Sequence, residues 1–343
     1  MFLSRFLLVW VVAALSAPSF YCQALQLGGI FSSGRNKNQP RNDERKIQAA
    51  VLVPGFLTGA SEFQSLCDNL TERGLPTVAV PMPAWHWLPC LGGRSARPIL
   101  ERIDFTVQHL IAADGDITKV PSFQYSLKDA WEDFWTNPGG VAQVGGSQRV
   151  DEYPIVEPRG TFDLPELPPN AGKIALIGHS AGGWISRAYL SSRSYGGKAY
   201  EGSKYIHSLV TLGTPHQSAP GPAFEGVQWC NEEPAPVRSL AVGGTGFKGD
   251  EWGAMTQGAY SFCCNQGTDG TSYTGDGMTP IDSALSFDGA EQLAIQNVTH
   301  FSWDTFGAEF VAPELAKDYS NGRPWYGSKG IVEKWADWIV QHA

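Results

Sequence analysis

The stretch Lys173-Ile-Ala-Leu-Ile-Gly-His-Ser-Ala-Gly-Gly-Trp184 decides the fold. Residues 174–177 are wholly apolar and rich in β-branched side chains, the composition of a parallel strand covered on both faces. The run breaks at Gly178-His-Ser-Ala-Gly182, and over 183–190 the apolar positions recur at helical spacing. Ser180 therefore stands at the tip of a strand-turn-helix unit. A turn that tight strains its central residue, and any side chain larger than hydrogen at Gly178 or Gly182 would strike the neighbouring helix or strand. With 39 glycines in the chain, a bare G-x-S-x-G arises easily by chance. The strand before it and the helix after it give the match its meaning, that of an activated serine nucleophile.

Upstream, residues 46–53 read as a strand running into Pro54-Gly-Phe-Leu-Thr-Gly59. A serine that attacks a carbonyl develops an oxyanion, and two preorganised backbone N–H groups must face it. In sites built on this elbow, one donor follows the nucleophile and the other comes from such an early loop. Ala181 and Phe56 are the candidates, with Leu57 the alternative to Phe56, because backbone donors leave little trace in sequence. A helix over 62–73 and a strand over 77–80 complete a right-handed parallel unit. His86, between Trp85 and Trp87, reads as packing rather than catalysis. A second helix is expected over 99–112. Between 113 and 170 the periodicity dissolves into Gly and Pro, which predicts an insertion with one short helix over 127–135.

Downstream, 205–213 read as a further core strand ending in Thr214-Pro-His216. His216 precedes every candidate acid, whereas the base in such folds follows it, so His216 is expected to shape the strand's exit. Residues 217–272, rich in Gly, Pro, Trp and Cys, contain no clear core strand and read as a mobile or disulfide-braced cap, or as inert surface. The acid belongs on a loop after a late strand. Asp276, between Gly275 and Gly277 and just before Thr279-Pro280, fits better than its competitors Asp282 and Asp288. A strand over 292–298 then delivers His300, leaving only the penultimate His342 beyond it. Ser180, Asp276 and His300 thus follow the required order. A closing helix spans 330–342.

The N-terminus carries one positive charge, Arg5, then an apolar run over 6–15 and small residues around Cys22-Gln-Ala24. Residues 1–24 are expected to be a cleaved secretory signal, with a retained apolar helix as the alternative, and 25–46 a solvated leader. The destination is the secretory route, either the ER lumen or the exterior. Ser16-Ala-Pro-Ser-Phe20 also resembles the junction of algal plastid presequences that enter by that route. Residues 47–343 read as a single domain, since a chain that is 42% hydrophobic and 17% charged can bury one large core. A net charge of −9, or −10 once Arg5 leaves with the signal, argues against nucleic acid as a partner. Cys67, Cys90, Cys230, Cys263 and Cys264 remain after the signal, an odd number with no C-x-x-C spacing. Metal and redox cofactors are not expected, at least one thiol stays unpaired, and the pairing of the others cannot be read. Asn69-Leu-Thr71 and Asn297-Val-Thr299 are glycosylation sequons.

The elbow Gly178-His-Ser-Ala-Gly-Gly-Trp184, the segment Leu212-Gly-Thr-Pro-His216, the loop Gly275-Asp-Gly277 and Arg323-Pro-Trp-Tyr-Gly327 together resemble the soluble plant and algal α/β-hydrolases described as GPI inositol-deacylase-like. The resemblance runs from about residue 47 to the C-terminus. It implies an α/β-hydrolase fold, with a mostly parallel central sheet flanked by helices and cap insertions, and a lipase-like serine hydrolase with Ser180, Asp276 and His300 as nucleophile, acid and base. The 113–170 excursion and the absence of membrane spans depart from the membrane-embedded deacylases, so the fold and triad carry over more firmly than the substrate. A small-molecule or lipid ester is the expected substrate, and a peripheral membrane contact stays open. Acyl transfer on the same triad and a silent binding module are the alternatives. The two insertions, 113–170 and 217–272, are expected to roof the pocket, with Trp131, Trp135, Phe224 and Trp229 lining it or forming a satellite core.

Overall fold

A computed structural model describes residues 47–139, 149–160, 162–168, 171–221, 225–250, 253–264, 269–302 and 323–341. The expected signal and leader, and Phe224, lie outside the described residues.

Strand β1 (Ile47–Val53) is followed by a 3-10 turn (Ala60–Phe63), helix α1 (Gln64–Glu72) and strand β2 (Thr77–Ala79). Then come a 3-10 helix (Ala84–Cys90), α2 (Arg97–Ala112) and α3 (Leu127–Thr136). The central unit is β3 (Lys173–His179), α4 (Ala181–Leu190) and β4 (Ile206–Leu212), and α5 (Glu225–Cys230) leads into β5 (Arg238–Thr245). A two-stranded antiparallel ribbon, β6 (Phe247–Lys248) with β7 (Thr274–Gly275), brackets α6 (Gly253–Phe262). α7 (Ile281–Leu285), β8 (Glu291–Gln296) and α8 (Lys329–Gln341) close the chain.

Six strands form one sheet in the order β2-β1-β3-β4-β5-β8, and every pairing is parallel. Such a sheet is buried on both faces, so its alternating side chains supply two cores. Val51, Val53, Ile174 and Leu176 face one side with Ile99 and Ile103 of α2 and Ile185 of α4. Leu52, Ala175, Ile177 and Val242 face the other with Leu66 and Leu70 of α1 and Val332 and Trp335 of α8. Ser180 leaves an interior strand of this sheet, which is the α/β-hydrolase fold the sequence implied.

One expected excursion is corrected. Residues 217–272 include β5, a core strand between β4 and β8. Its Gly243-Gly244 pair reads as a loop, but the glycines are there because neighbours press on the strand. A Cβ on Gly243 would lie 2.5 Å from Cδ1 of Ile281, and one on Gly244 would lie 2.7 Å from the Val298 carbonyl oxygen and 2.8 Å from Cβ of Asp276. The disulfide brace is corrected too. Cys67, Cys90, Cys230, Cys263 and Cys264 are all buried thiols. Burial pushes the Cys67 and Cys90 thiols up to about 12, so they behave as small apolar side chains.

Candidate active site

The elbow is built as its glycines demand. Ser180 has φ 52° and ψ −128°, a conformation that a residue with a side chain adopts only under constraint. Neighbouring atoms supply that constraint. A Cβ on Gly178 would lie 2.4 Å from Cα of Gly183, and one on Gly182 would lie 2.3 Å from the Val53 carbonyl oxygen at the end of β1. Gly183, which the motif does not require, is the most crowded, because its Cβ would come within 1.9 Å of Oγ1 of Thr214. Gly183→Ala is therefore expected to destabilise the protein by about 3 kcal/mol or more, through displacement of α4 or of the strand exit at Thr214. Urea unfolding measures this, and a variant of wild-type stability would mean that Thr214 swings aside freely.

Asp276 and His300 meet in the interior. Asp276 is 1% exposed and His300 2%, and Nδ1 of His300 donates to Oδ2 of Asp276 at 2.7 Å. The second carboxylate oxygen, Oδ1, accepts the backbone N–H groups of Met278 at 3.0 Å and Thr279 at 2.7 Å. His300 in turn donates its backbone N–H to the Asp276 carbonyl at 3.0 Å, so the two residues are joined at backbone and side chain. Burial alone would raise the Asp276 carboxyl, but the His300 charge and these hydrogen bonds outweigh it and hold the carboxyl below its ordinary value. Asp282 and Asp288 are solvent-exposed and take no part in this pair.

Ser180 is preceded in the chain by His179, and it is His179 that packs against this pair. The ring of His179 lies 4.7 Å from that of His300, and its Nε2 donates to the His300 carbonyl at 2.8 Å. Both rings thus sit at the carboxyl edge of the sheet, where open α/β sheets place their sites. Across the elbow, a Cβ on Gly55 would come within 2.9 Å of Cβ of Ser180, so the early loop runs directly beside Ser180. Among the described residues, the N–H groups of Ala181, Phe56 and Leu57 enter no hydrogen bond, which leaves both loop positions as second donors. Phe56 is 40% exposed, and its ring meets Trp87 edge-on at 5.4 Å. No group of three or more His, Cys, Asp or Glu among the described residues is placed to hold a metal ion.

Tyr326 is a residue the motif reading did not single out for a role. Fully buried, it donates its hydroxyl to Oδ2 of Asp276 at 2.7 Å and accepts the N–H of Gly244 at 2.7 Å. The Arg323-Pro-Trp-Tyr-Gly327 segment thereby braces Asp276, and Trp325 packs beside His179. A lone tyrosine in a loop carries no sequence signal for such a contact.

His86 and His216 are held in packed hydrogen-bonded positions. Nδ1 of His86 accepts from Nε of Arg102 at 2.9 Å, and His216 is held between Oγ1 of Thr211 at 3.1 Å and the Arg187 guanidinium at 3.0 Å. Burial first, then the neighbouring guanidinium, lowers His86 to about 2 and His216 well below its usual value. Burial and the nearby His300 lower His179 to about 3. A histidine kept neutral in the fold gains a proton on unfolding once the pH drops below about 6.5. Its stabilising contribution is whole above that value and is lost as the pH falls toward the folded pKa. These three groups should together remove about 4 kcal/mol between about pH 7.5 and about pH 5.5. Urea unfolding at the two pH values measures it, and equal stability would show that the three rings are charged in the fold.

Two of the four aromatics expected at a roof face solvent instead. Trp131 is 53% and Trp135 65% exposed, whereas Trp229 is buried, edge-on to Tyr195 at 5.3 Å and beneath the Arg193 guanidinium at 4.2 Å. Trp229 is thus core.

The sequence profile of the PGAP1-like alpha/beta domain family matches residues 165–227, the span that carries β3, the elbow, α4 and β4. Among solved structures, Est1E from Butyrivibrio proteoclasticus is similar at 12% identity over 82% of this chain and 90% of its own, with a TM-score of 0.33. An alpha/beta hydrolase fold protein from Nakamurella multipartita is similar at 10% identity over 80% of this chain and 91% of its own, with a TM-score of 0.28. No curated protein sequence matches the chain. The fold assignment rests on the sheet order and the elbow themselves.

Proposed function

We propose that this protein is a serine hydrolase that cleaves carboxylic esters of lipid-like substrates through an acyl-enzyme on Ser180. The observation that supports it most is the buried Asp276–His300 pair, joined at 2.7 Å beside a strained elbow serine. With Nδ1 of His300 donating to Asp276, Nε2 is the nitrogen free to take the Ser180 proton. Oγ of Ser180 then attacks the ester carbonyl, and the N–H groups of Ala181 and Phe56 receive the oxyanion. Collapse of the tetrahedral intermediate passes the proton from His300 to the leaving alcohol. Water, activated by the same imidazole, releases the acid in the second half of the cycle. The lipid-like character of the substrate rests on the resemblance to GPI inositol-deacylase-like hydrolases and on exposed apolar surface at Phe56.

A fluorophosphonate probe tests the reading, followed by mass spectrometric mapping of the adduct and turnover of p-nitrophenyl esters of increasing chain length. A single adduct on the peptide containing Ser180, with ester turnover, is expected. No adduct would favour a silent binding module, and an adduct elsewhere would move the nucleophile.

A further inference from the structure

Helix α3 carries an apolar stripe that the other described residues leave open. Leu127, Trp131 and Trp135 follow one another at intervals of four, which places them within about 80° of one another around the helix. They are 53%, 53% and 65% exposed. The two indoles meet edge-to-face at 5.5 Å, so they form one patch. The helix is anchored from behind. It packs on the 3-10 helix Ala84–Cys90, and the Asn137 amide after its last turn donates to the Pro89 and Ser95 carbonyls at 2.8 Å each. That 3-10 helix carries Trp87, the partner of exposed Phe56 beside the elbow, so the patch and the mouth of the site share one support.

We propose that this face of α3 docks the protein on a neutral, zwitterionic lipid surface. Two properties of the patch select that occupant. The first is its area: the three side chains present on the order of 300–400 Å², well short of the roughly 800 Å² per partner that a stable protein interface needs. A lipid surface demands no such area and no complementary shape, and indoles prefer the boundary between headgroups and acyl chains. The second is charge. On and beside α3, Lys128, Arg159 and Arg94 stand against Asp129, Glu132 and the buried Asp133, three positive and three negative, and Arg159 pairs with both Glu132 at 3.0 Å and Asp133 at 2.9 Å. The patch is neutral on a chain whose formal charge is −9. An anionic bilayer gains nothing from it, whereas a zwitterionic one accepts it without opposing charge.

The test is flotation of the full chain with phosphatidylcholine vesicles, with Ser180→Ala as the background so that binding is read without turnover and independently of the hydrolase reading. Partition is expected to fall at least about tenfold in the Trp131→Ala/Trp135→Ala double variant, since two buried indoles dominate the contact. It should change little between about 0.1 M and about 0.5 M salt, because no net charge drives it. Val340→Ala serves as the control: Val340 is 57% exposed but lies on α8, which packs on the opposite face of the sheet, and it should leave partition unchanged. Should the double variant unfold at a lower temperature than its parent, Trp135→Gln alone carries the comparison. Absent partition of the parent chain, equal partition of the tryptophan variants, or loss of binding with salt would each overturn the proposal. A parent dimer in sedimentation that becomes monomeric in the double variant would overturn it as well, by assigning the face to a second copy of the chain.

Discussion

Ser180→Ala is expected to lower kcat on p-nitrophenyl esters by about 10⁶ and to abolish fluorophosphonate labelling. The magnitude follows from what the substitution leaves behind. His300, Asp276 and the loop N–H groups remain, but without Oγ there is no acyl-enzyme, and water must attack unaided. The fold should survive, because alanine keeps the Cβ at φ 52° and removes only the hydroxyl. Steady-state turnover and the unfolding midpoint, measured on the same preparation, separate the two effects. A variant that retains more than about a hundredth of the activity would place the nucleophile elsewhere, most simply on a serine outside the elbow.

Asp276→Asn should reduce kcat by about 10⁴ with KM nearly unchanged. The local hydrogen bonds dictate which way the new amide must turn. Oδ1 of Asp276 accepts two backbone N–H groups, from Met278 and Thr279, so the amide oxygen has to occupy that position. The NH₂ group then faces Nδ1 of His300 and forces that nitrogen to accept. The proton moves to Nε2, and the base can no longer take one from Ser180. Asp282→Asn is the matched control, since Asp282 is exposed in the first turn of α7 and touches neither ring. Activity of Asp276→Asn within tenfold of the parent would show that another carboxylate orients the imidazole.

The site was legible wherever sterics or chain order constrain residue type. The glycines at 178 and 182 are visible because only hydrogen fits where helix α4 and the end of β1 close on the turn. His300 stood out because so few histidines follow the acid, and Asp276 because flanking glycines mark a loop. The structure joins these last two in one buried pair. By contrast β5 was missed, since Gly243-Gly244 carries the composition of a turn. What makes it strand is its pairing with β4 and β8, and the glycines are needed there because Ile281, Val298 and Asp276, all distant in sequence, press on it.

Two further features lay beyond a linear reading. Tyr326 is tied to Asp276 across fifty residues, and nothing in Arg323-Pro-Trp-Tyr-Gly327 distinguishes its hydroxyl from that of any other tyrosine. Trp131 and Trp135 read equally well as roof, core or surface, because a helical repeat states which residues share a face and not what that face meets. By itself, then, the sequence determined the strand-elbow-helix unit, the alternation of strands and helices, and the order in which Ser180, Asp276 and His300 follow one another, all of which rest on local sterics and covalent order. Only the tertiary structure decided which strands are interior, which hydroxyl braces Asp276 and which apolar face of the described residues is left to solvent, because burial depends on neighbours that the chain brings together from far apart.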